Sequence, residues 1–324
     1  MLDYYNLSTM LSTDELQIQS SARNYLESEI SPHVSKWWED GEFPEEKIPE
    51  FGEMGFFGAN LPIEHGCAGV NNVSYGLIMY ELERVDSGLR SFASVQGALV
   101  MYPIYRYGSE EQKKKYLPDM AAGKTVGCFG LTEHDGGSDP GAMKTNAVRD
   151  GESYILNGRK MWITNGNIAD VALVWAKNEE GRIKGFLIPT DTTGFKANEV
   201  DHKMSMRASV TSELVLDDVR VPATALLPEA DGLSAPLSCL TQARYGIAWG
   251  ALGALESVYD DALRFSKSRS TVISRPISTV SGILPQWSKR PVSRVSGSRW
   301  TATSSSVTRP PFAGTGNAWW AELT

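Results

Sequence analysis

The period of the hydrophobic pattern changes twice along this chain, and this change constrains the fold more than any other feature. Apolar residues recur at helical spacing up to about Thr125, short strand-like runs follow to about residue 221, and helical spacing returns near Leu237 and continues through Phe265. Separate blocks of helices and strands are typical of an α+β multidomain fold. The sequence predicts an N-terminal helical domain (1–124), a central antiparallel β domain (125–225) and an incomplete C-terminal helical domain (226–269).

Local signals give the helix ends in the first block. Ser12 to Glu15 reads Ser-Thr-Asp-Glu, which is a capping box, and we expect the helix that it opens to stop at Pro32. Ser109 and Gln112 make a second capping box. The first third of the chain is therefore predicted to be mostly helical.

Turn signals divide the central block into strands. The dipeptides Asp150-Gly151, Asn157-Gly158 and Asn165-Gly166 are typical of tight turns between strands. The predicted strands cover residues 126–131, 153–156, 160–164, 171–176, 185–188 and 213–221.

The last part of the sequence, 270–324, has a different composition. Between Thr271 and Thr324 the only acidic residue is Glu322, while Ser and Thr number 17 and four tryptophans follow no sustained period. No stable domain is predicted here, and we expect a disordered tail.

Composition limits the classes of function. The chain of 324 residues has 31 basic and 39 acidic residues, a net charge of −8, which argues against nucleic-acid binding. Three widely spaced cysteines (Cys67, Cys128, Cys239) favour reduced thiols, and the four histidines show no ligand spacing, so no metal is predicted. No apolar run is long enough for a membrane span, and the polar N-terminus suggests a bacterial cytoplasmic protein or a mitochondrial matrix protein without its transit peptide.

A glycine-rich loop follows the first predicted strand. Gly127 to Asp139 reads Gly-Cys-Phe-Gly-Leu-Thr-Glu-His-Asp-Gly-Gly-Ser-Asp, a strand leading into a tight loop with exposed main-chain amides. Such amides, with the hydroxyl of Ser138, suit an anion or a phosphate oxygen. Taken alone, the pattern is equally typical of a plain surface turn.

A second stretch, Lys160 to Gly166, reads Lys-Met-Trp-Ile-Thr-Asn-Gly and is predicted to be a strand. Trp162 and Thr164 then share one face, where an aromatic plate and a hydroxyl could hold a flat heterocycle. The alternative is a core tryptophan and a surface threonine.

Together the two stretches resemble the acyl-CoA dehydrogenase family of flavoproteins, whose signatures are a Thr-Glu-x-x-x-Gly-Ser-Asp loop and a Trp-Ile-Thr strand. Three further segments are similar to the glutaryl-CoA dehydrogenase branch: 83–91, 103–112 and 243–250, the last reading Ala-Arg-Tyr-Gly-Ile-Ala-Trp-Gly. The resemblance extends to about Arg269. There the family's Gln-Phe-Gly segment should follow, but Ser-Thr-Val-Ile-Ser follows instead, and we hypothesise a reading-frame change near residue 270 with a truncated, unrelated tail.

The resemblance implies FAD as the cofactor. Backbone groups near Leu131 and the side chain of Thr132 would contact the pyrimidine edge of the flavin, Ser138 the pyrophosphate, and Trp162 and Thr164 the ring face and N5. Arg269 would match an arginine that reaches the FAD of a neighbouring subunit, or be an ordinary charge at a helix end. The full set implied for FAD is Phe129, Leu131, Thr132, Gly137, Ser138, Trp162, Ile163, Thr164 and Arg269.

The resemblance also implies the reaction. The family transfers the α proton of an acyl-CoA to a glutamate while a hydride passes from the β carbon to the flavin, and the glutaryl branch then decarboxylates the product to crotonyl-CoA, a step in lysine and tryptophan degradation. Arg90 would bind the distal carboxylate of the substrate. The residues implied for the substrate are Arg90, Ser91, Ser138, Leu237 and Arg244. No catalytic base is assigned, because the family's Tyr-Glu-Gly-Thr motif is absent and the other known position for the base holds Ala243.

Three hypotheses remain open. The first is an FAD-dependent acyl-CoA dehydrogenase, for which the resemblance implies an electron-transfer flavoprotein as acceptor and a homotetramer that the unmatched tail puts in doubt. The second is a truncated chain that binds flavin and acyl-CoA without catalysis. The third is an acyl-CoA oxidase on the same scaffold, which fast reaction of the reduced flavin with oxygen would favour.

Overall fold

The computed structural model describes residues 6–273, with side chains up to residue 269, so the predicted tail falls almost wholly outside the described residues. The helices are α1 (Thr13–Tyr25), α2 (Ser31–Asp40), α3 (Ile48–Glu53), α4 (Asn72–Val85), α5 (Ser87–Ser94), α6 (Tyr102–Tyr107), α7 (Glu110–Ala121) and α8 (Ser234–Ile273). The strands are β1 (Gly127–Gly130), β2 (Asn146–Asp150), β3 (Ser153–Thr164), β4 (Val171–Lys177), β5 (Ile183–Pro189), β6 (Phe195–Glu199) and β7 (Thr211–Pro222). The predicted order of helices, strands and helices is confirmed.

Both predicted capping boxes form. At the start of α1 the Glu15 amide donates to Ser12 Oγ and the Ser12 amide donates to Glu15 Oε2, and Ser109 and Gln112 make the same exchange at the start of α7. The prediction that Pro32 ends the first helix is wrong. Pro32 lies in the first turn of α2, where a helix needs no N–H donor, so the ring is tolerated there.

Two π-helical turns interrupt the N-terminal helices. Leu26–Ile30 joins α1 to α2, and Val95–Met101 joins α5 to α6. Single π turns inside helices are uncommon and occur often at functional sites. The second one packs against β1 and, as described below, lines the main cavity.

The seven strands form one sheet in the order β1-β4-β2-β3-β7-β6, with β5 paired to β4. Most pairs are antiparallel, as predicted, but β1 runs parallel to β4, and β2 makes one parallel bridge to β4. The turn at Asp150-Gly151 is confirmed as the β2–β3 hairpin. Strands β2 and β6 were not predicted.

The predicted turn at Asn157-Gly158 is wrong, because β3 continues through it as one strand of 12 residues. The pairing with β7 shifts between Leu156 and Gly158. A Cβ atom at Gly158 would lie 2.7 Å from the Thr145 Cα atom, so glycine permits this close approach of two backbones. The Asn-Gly pair therefore marks an irregularity within a strand.

Helix α8 packs directly on α4. Gly246, Gly250 and Gly253 lie along one face of α8, and a Cβ atom at Gly253 would lie 2.1 Å from the Tyr80 carbonyl oxygen. Trp249 lies against Gly76 in the same contact. This packing fixes the middle of α8 against the N-terminal helices. No helix within residues 6–273 is long and apolar enough to cross a membrane.

Helix α7 ends at Ala121 and β1 begins at Gly127, while β7 ends at Pro222 and α8 begins at Ser234. We therefore keep 124/125 and 225/226 as proposed domain boundaries. The boundary proposed at residue 270 falls inside α8, which continues to Ile273.

Candidate functional site

A cavity of about 320 Å³ lies where the end of β1, the bulged end of β3, the π turn after α5 and the start of α8 meet. Ten of the predicted site residues line it: Phe129, Leu131, Thr132, Gly137, Ser138, Trp162, Ile163, Thr164, Leu237 and Arg244. The other lining residues are Val95, Leu99, Pro140 and Leu240. We call this space the main cavity because it gathers the predicted site residues; other cavities in the described part of the chain are larger. Residues that are up to 149 positions apart in the sequence thus surround one space.

Trp162 lies at a β-bulge. The register of β3 on β7 moves from Lys160 opposite Leu214 to Ile163 opposite Ser212, so β3 has one extra residue here. The Trp162 backbone takes a left-handed conformation (φ 63°), and its side chain is 61% exposed. A strained backbone that presents an exposed aromatic side chain is typical of a ligand-binding position. The alternative of a core tryptophan is wrong.

The bulge explains why three consecutive residues, Trp162, Ile163 and Thr164, all line the main cavity, although a regular strand would turn Ile163 away. Trp162 and Thr164 also border a second cavity of about 480 Å³, whose other walls come from the segment 200–206 and from Ser209 and Thr211. Trp162 and Thr164 therefore form part of the wall between the main cavity and this second cavity.

The loop after β1 is held by one carboxylate. Glu133 accepts hydrogen bonds from the amides of Lys144 (2.7 Å) and Thr145 (3.0 Å), from the Thr145 hydroxyl (2.5 Å), and from Lys160 Nζ (2.8 Å). Burial raises the pKa of this carboxyl group, but these hydrogen bonds outweigh burial and hold the pKa at about 2. Glu133 therefore closes the loop that carries Gly137 and Ser138.

Strand β1 is fixed from the helical side by Gln96, which is fully buried in the π turn. Its side chain accepts from the Gly127 amide (2.8 Å) and donates to the carbonyl oxygens of Met120 (3.2 Å) and Thr125 (2.7 Å). The same π turn carries Val95 and Leu99 into the main cavity. The position of these two residues depends on the π turn, which the sequence pattern did not show.

Helix α8 contributes Leu237, Leu240 and Arg244, which follow each other on one helical face. Leu240 could have been predicted from that spacing once Leu237 and Arg244 were chosen. The Arg244 side chain is exposed, and it forms no hydrogen bond or ion pair with any residue between 6 and 269. Its guanidinium is therefore available to an anionic ligand.

Arg90 and Ser91 do not line the main cavity. Arg90 is 8% exposed, and its Nε donates to the carboxylate of Glu83, which in turn packs against Gly250 of α8. Ser91 lies one helical turn before Val95, a residue of the main cavity. Both residues lie on α5, which continues into the π turn that carries Val95 and Leu99.

Arg269 is remote from the cavity. It lies 25 residues after Arg244 on the same helix, a distance of about 37 Å along the axis. Its guanidinium lies 4.8 Å from the centre of the Phe265 ring. Within one chain Arg269 and the main cavity are therefore separate.

None of the residues that line the main cavity in the described part of the chain carries a carboxylate. Glu133 turns away from the cavity to Lys160 and the loop, and Ala243 is buried in α8. The structure thus adds no candidate for the general base. Cys67, Cys128 and Cys239 are buried free thiols, and residues 6–269 contain no cluster of three side chains able to hold a metal.

Comparison with known proteins decides the family. Residues 12–124 match the acyl-CoA dehydrogenase N-terminal domain, and residues 128–219 match the acyl-CoA dehydrogenase middle domain. This chain belongs to the acyl-CoA dehydrogenase family. These two matches cover more than half of its sequence, and they include the loop and the strand that form most of the cavity wall.

Relatives within the acyl-CoA dehydrogenase family support this assignment. A probable acyl-CoA dehydrogenase of Bacillus subtilis, YngJ, is 36% identical, with 84% of this chain and 73% of that protein aligned. A glutaryl-CoA dehydrogenase from Mycobacterium smegmatis, solved with FADH2, is 55% identical with a TM-score of 0.81, over 82% of this chain and 69% of that one. Butyryl-CoA dehydrogenase from Megasphaera elsdenii is 33% identical with a TM-score of 0.76, and the aligned part covers 79% of this chain and 70% of that one.

Proposed function

We propose that the main cavity binds FAD and that the chain acts as an acyl-CoA dehydrogenase on glutaryl-CoA. The observation that carries the proposal is the convergence of the predicted loop, strand and helix residues on this one cavity. The 55% identity to a glutaryl-CoA dehydrogenase solved with FADH2 favours this substrate over shorter acyl chains.

The donor groups of the cavity fit a flavin. Trp162 offers an exposed ring, Thr132 and Thr164 offer hydroxyls, and Ser138 lies in the loop that the Glu133 carboxylate closes. In the proposed arrangement Leu131 and Thr132 contact the pyrimidine edge, Trp162 and Thr164 the ring, and Ser138 the pyrophosphate, with Phe129, Gly137 and Ile163 as further walls. Bound FAD would supply the hydride acceptor.

For the substrate we propose Arg90 as the partner of the distal carboxylate. Glu83 accepts from Nε of Arg90, and the two terminal nitrogens donate to no residue in the described part of the chain, which leaves them free for a carboxylate. The burial of Arg90 would strengthen this charge pair relative to water. Ser91 and Ser138 would add hydrogen bonds, and Leu237 and Arg244 would line the path of the CoA thioester.

The exposed face of α8 supports an oligomer. Large apolar side chains are exposed along this helix: Ile247, Leu252, Leu255, Val258 and Phe265. We propose that this face packs against other subunits of a homotetramer and that Arg269 there reaches the FAD of a neighbour, as the family resemblance implies. An electron-transfer flavoprotein remains the proposed acceptor.

A second candidate is a chain that binds flavin and acyl-CoA without turnover. The lack of a carboxylate among the described residues that line the cavity favours it. The two functions give different results in one experiment. The FAD-loaded chain is titrated without oxygen, with glutaryl-CoA and separately with butyryl-CoA, and the visible absorbance of the flavin is followed.

The proposed dehydrogenase bleaches with glutaryl-CoA and responds less to butyryl-CoA. A flavin that changes its spectrum but stays oxidised supports the second candidate. Equal bleaching by both substrates contradicts the role of Arg90 in selecting a dicarboxylic chain. Bleaching that is followed by rapid reoxidation in air indicates an oxidase instead.

A further inference from the structure

Lys160 is a fully buried lysine in the middle of a β-strand, with 0% of its surface exposed. Its Nζ donates to the Leu131 carbonyl oxygen (3.1 Å) and to Glu133 Oε1 (2.8 Å). A lysine at such a site costs more free energy than an apolar side chain of the same size unless it is fully paired. The position therefore indicates a specific task for the ammonium group.

The first acceptor lies at the wall of the main cavity. Because a trans peptide points its C=O and N–H in opposite directions, a Leu131 carbonyl turned inward to Lys160 turns the Thr132 N–H away from Lys160. That N–H donates to no described residue, although Leu131 and Thr132 both line the cavity. Lys160 thus determines the direction of an unpaired donor at the cavity.

The backbone of Met161, the residue after Lys160, also binds the Leu131–Thr132 segment. The Met161 amide donates to the Thr132 carbonyl oxygen at 2.8 Å, so the peptide units on both sides of Thr132 are anchored to β3. The next residue of β3 is Trp162, at the bulge. The two walls of the cavity, the loop and the bulge, are therefore joined at Lys160 and Met161.

The second acceptor, Glu133, compensates the buried positive charge of Lys160. Glu133 gives the ammonium a counter-ion, and its other hydrogen bonds reach the Lys144 and Thr145 amides at the far end of the loop. Among residues 6–269, Glu133 is also the only charged group that faces Lys160, because β1 and β7 approach it with Gly130 and Leu214.

We propose that Lys160 is a positioning residue, which orients the Leu131–Thr132 peptide so that the Thr132 N–H meets the pyrimidine edge of FAD. The inference rests on the proposed function, since it requires FAD in the main cavity. Lys160 itself does not touch the cofactor. Glu133 serves to keep the ammonium charged, and its contribution to FAD binding is indirect.

The test compares the affinity for FAD of four chains: wild type, E133Q, K160M/E133Q and K144M. The double variant removes both charges together, so no uncompensated charge is left buried, and its thermal unfolding midpoint should stay close to that of wild type. E133Q keeps the hydrogen bond from Lys160 to Leu131. K144M is the matched control, because Lys144 belongs to the same loop but has a side chain that is 76% exposed.

We expect the dissociation constant for FAD to rise about tenfold in K160M/E133Q and to change by less than about threefold in K144M. E133Q should lie between the two, because Lys160 keeps its bond to Leu131 but loses the counter-ion that favours its charged form. The absorption spectrum of bound flavin should shift in the double variant alone, because a hydrogen bond at the pyrimidine edge is changed. A stable double variant with the wild-type affinity and spectrum overturns the inference. Failure of the wild type to bind FAD overturns the proposed function, and the inference with it.

If the double variant does not fold, the same inference can be tested by measuring the FAD affinity of the wild type as a function of pH. Burial lowers the pKa of Lys160 to about 8, against the raising effect of Glu133. The affinity for FAD should therefore fall as the pH rises through about 8, when the ammonium becomes a neutral amine and a weaker donor. K144M should show the same profile. An affinity that is constant between pH 7 and pH 9 (about one unit on each side of the pKa) overturns the inference.

Discussion

Gln96 Oε1 accepts a hydrogen bond from the Gly127 amide at 2.8 Å, and this contact joins the helical layer to the first strand of the sheet. The amide nitrogen of the same side chain bonds the Met120 and Thr125 carbonyl oxygens, at the end of α7 and in the connection to β1. One buried glutamine thereby satisfies three backbone groups. It also fixes the strand that leads into the cavity loop.

Replacing Gln96 with Leu should lower the free energy of unfolding by about 3 kcal/mol, because one amide and two carbonyl oxygens lose their partner inside the protein. Chemical denaturation measures this change. Gln112→Leu is the matched control for the type of residue, since Gln112 is also buried but binds the Thr224 and Leu226 carbonyl oxygens, in the connection between β7 and α8. Both variants should lose stability, and Q96L alone should weaken FAD binding. A Q96L chain as stable as wild type contradicts the role given to this side chain.

Replacing Trp162 with Gly should weaken FAD binding while leaving the stability of the fold almost unchanged. Its backbone conformation suits glycine and its side chain is mostly exposed, so the free energy of unfolding should change by less than about 1 kcal/mol. The loss of the ring face should weaken FAD binding about tenfold. The control is Trp38→Ala, an exposed tryptophan on α2 that contacts Arg207. Unchanged FAD affinity in W162G would show that the ring is no part of the site.

Arg244→Met tests the α8 wall of the cavity. Because this guanidinium is exposed and has no partner among residues 6–269, its removal should leave the unfolding midpoint unchanged. Binding of an acyl-CoA should weaken about tenfold, the effect of one charge-assisted contact. Isothermal titration calorimetry with a CoA thioester measures it, with Arg149→Met on β2 as an exposed control. Equal affinities of R244M and R149M would exclude Arg244 from the binding surface.

Acid stability should report on Glu133. Its pKa in the folded chain is about 2 rather than 4.5, so the folded state gains stability from the ionised carboxylate above about pH 4.5. That stability is lost as the pH falls from 4.5 through 2. E133Q lacks this titration, and at neutral pH it should be about 3 kcal/mol less stable because Lys160 is left without its counter-ion. Chemical denaturation of wild type and E133Q at several pH values measures this difference. The difference in the free energy of unfolding should become smaller as the pH falls from 4.5 to 2. A difference that is the same at all pH values contradicts the lowered pKa of Glu133.

Local sequence signals predicted the parts of the fold that local chemistry determines. The capping boxes at Ser12 and Ser109 and the turn at Asp150 formed because a few neighbouring side chains and backbone groups decide them. Pro32 and Asn157-Gly158 misled the prediction for a different reason. Each is compatible with two structures, and tertiary packing chose the helix start and the continuous strand.

The candidate site was predictable where a motif names its residues. Ser138, Trp162 and Thr164 were found through their signatures, and the structure gathers them at one cavity. The bulge at Trp162, the π turn that carries Val95 and the burial of Lys160 were not predicted. All three depend on contacts between segments distant in sequence, so no periodicity of a single segment shows them.

A crystal structure of the chain grown with FAD would show whether FAD occupies the main cavity. We expect density for the flavin ring against Trp162 and Thr164, with its pyrimidine edge at the Thr132 amide. Density for FAD elsewhere, or an empty cavity at saturating FAD, would contradict it.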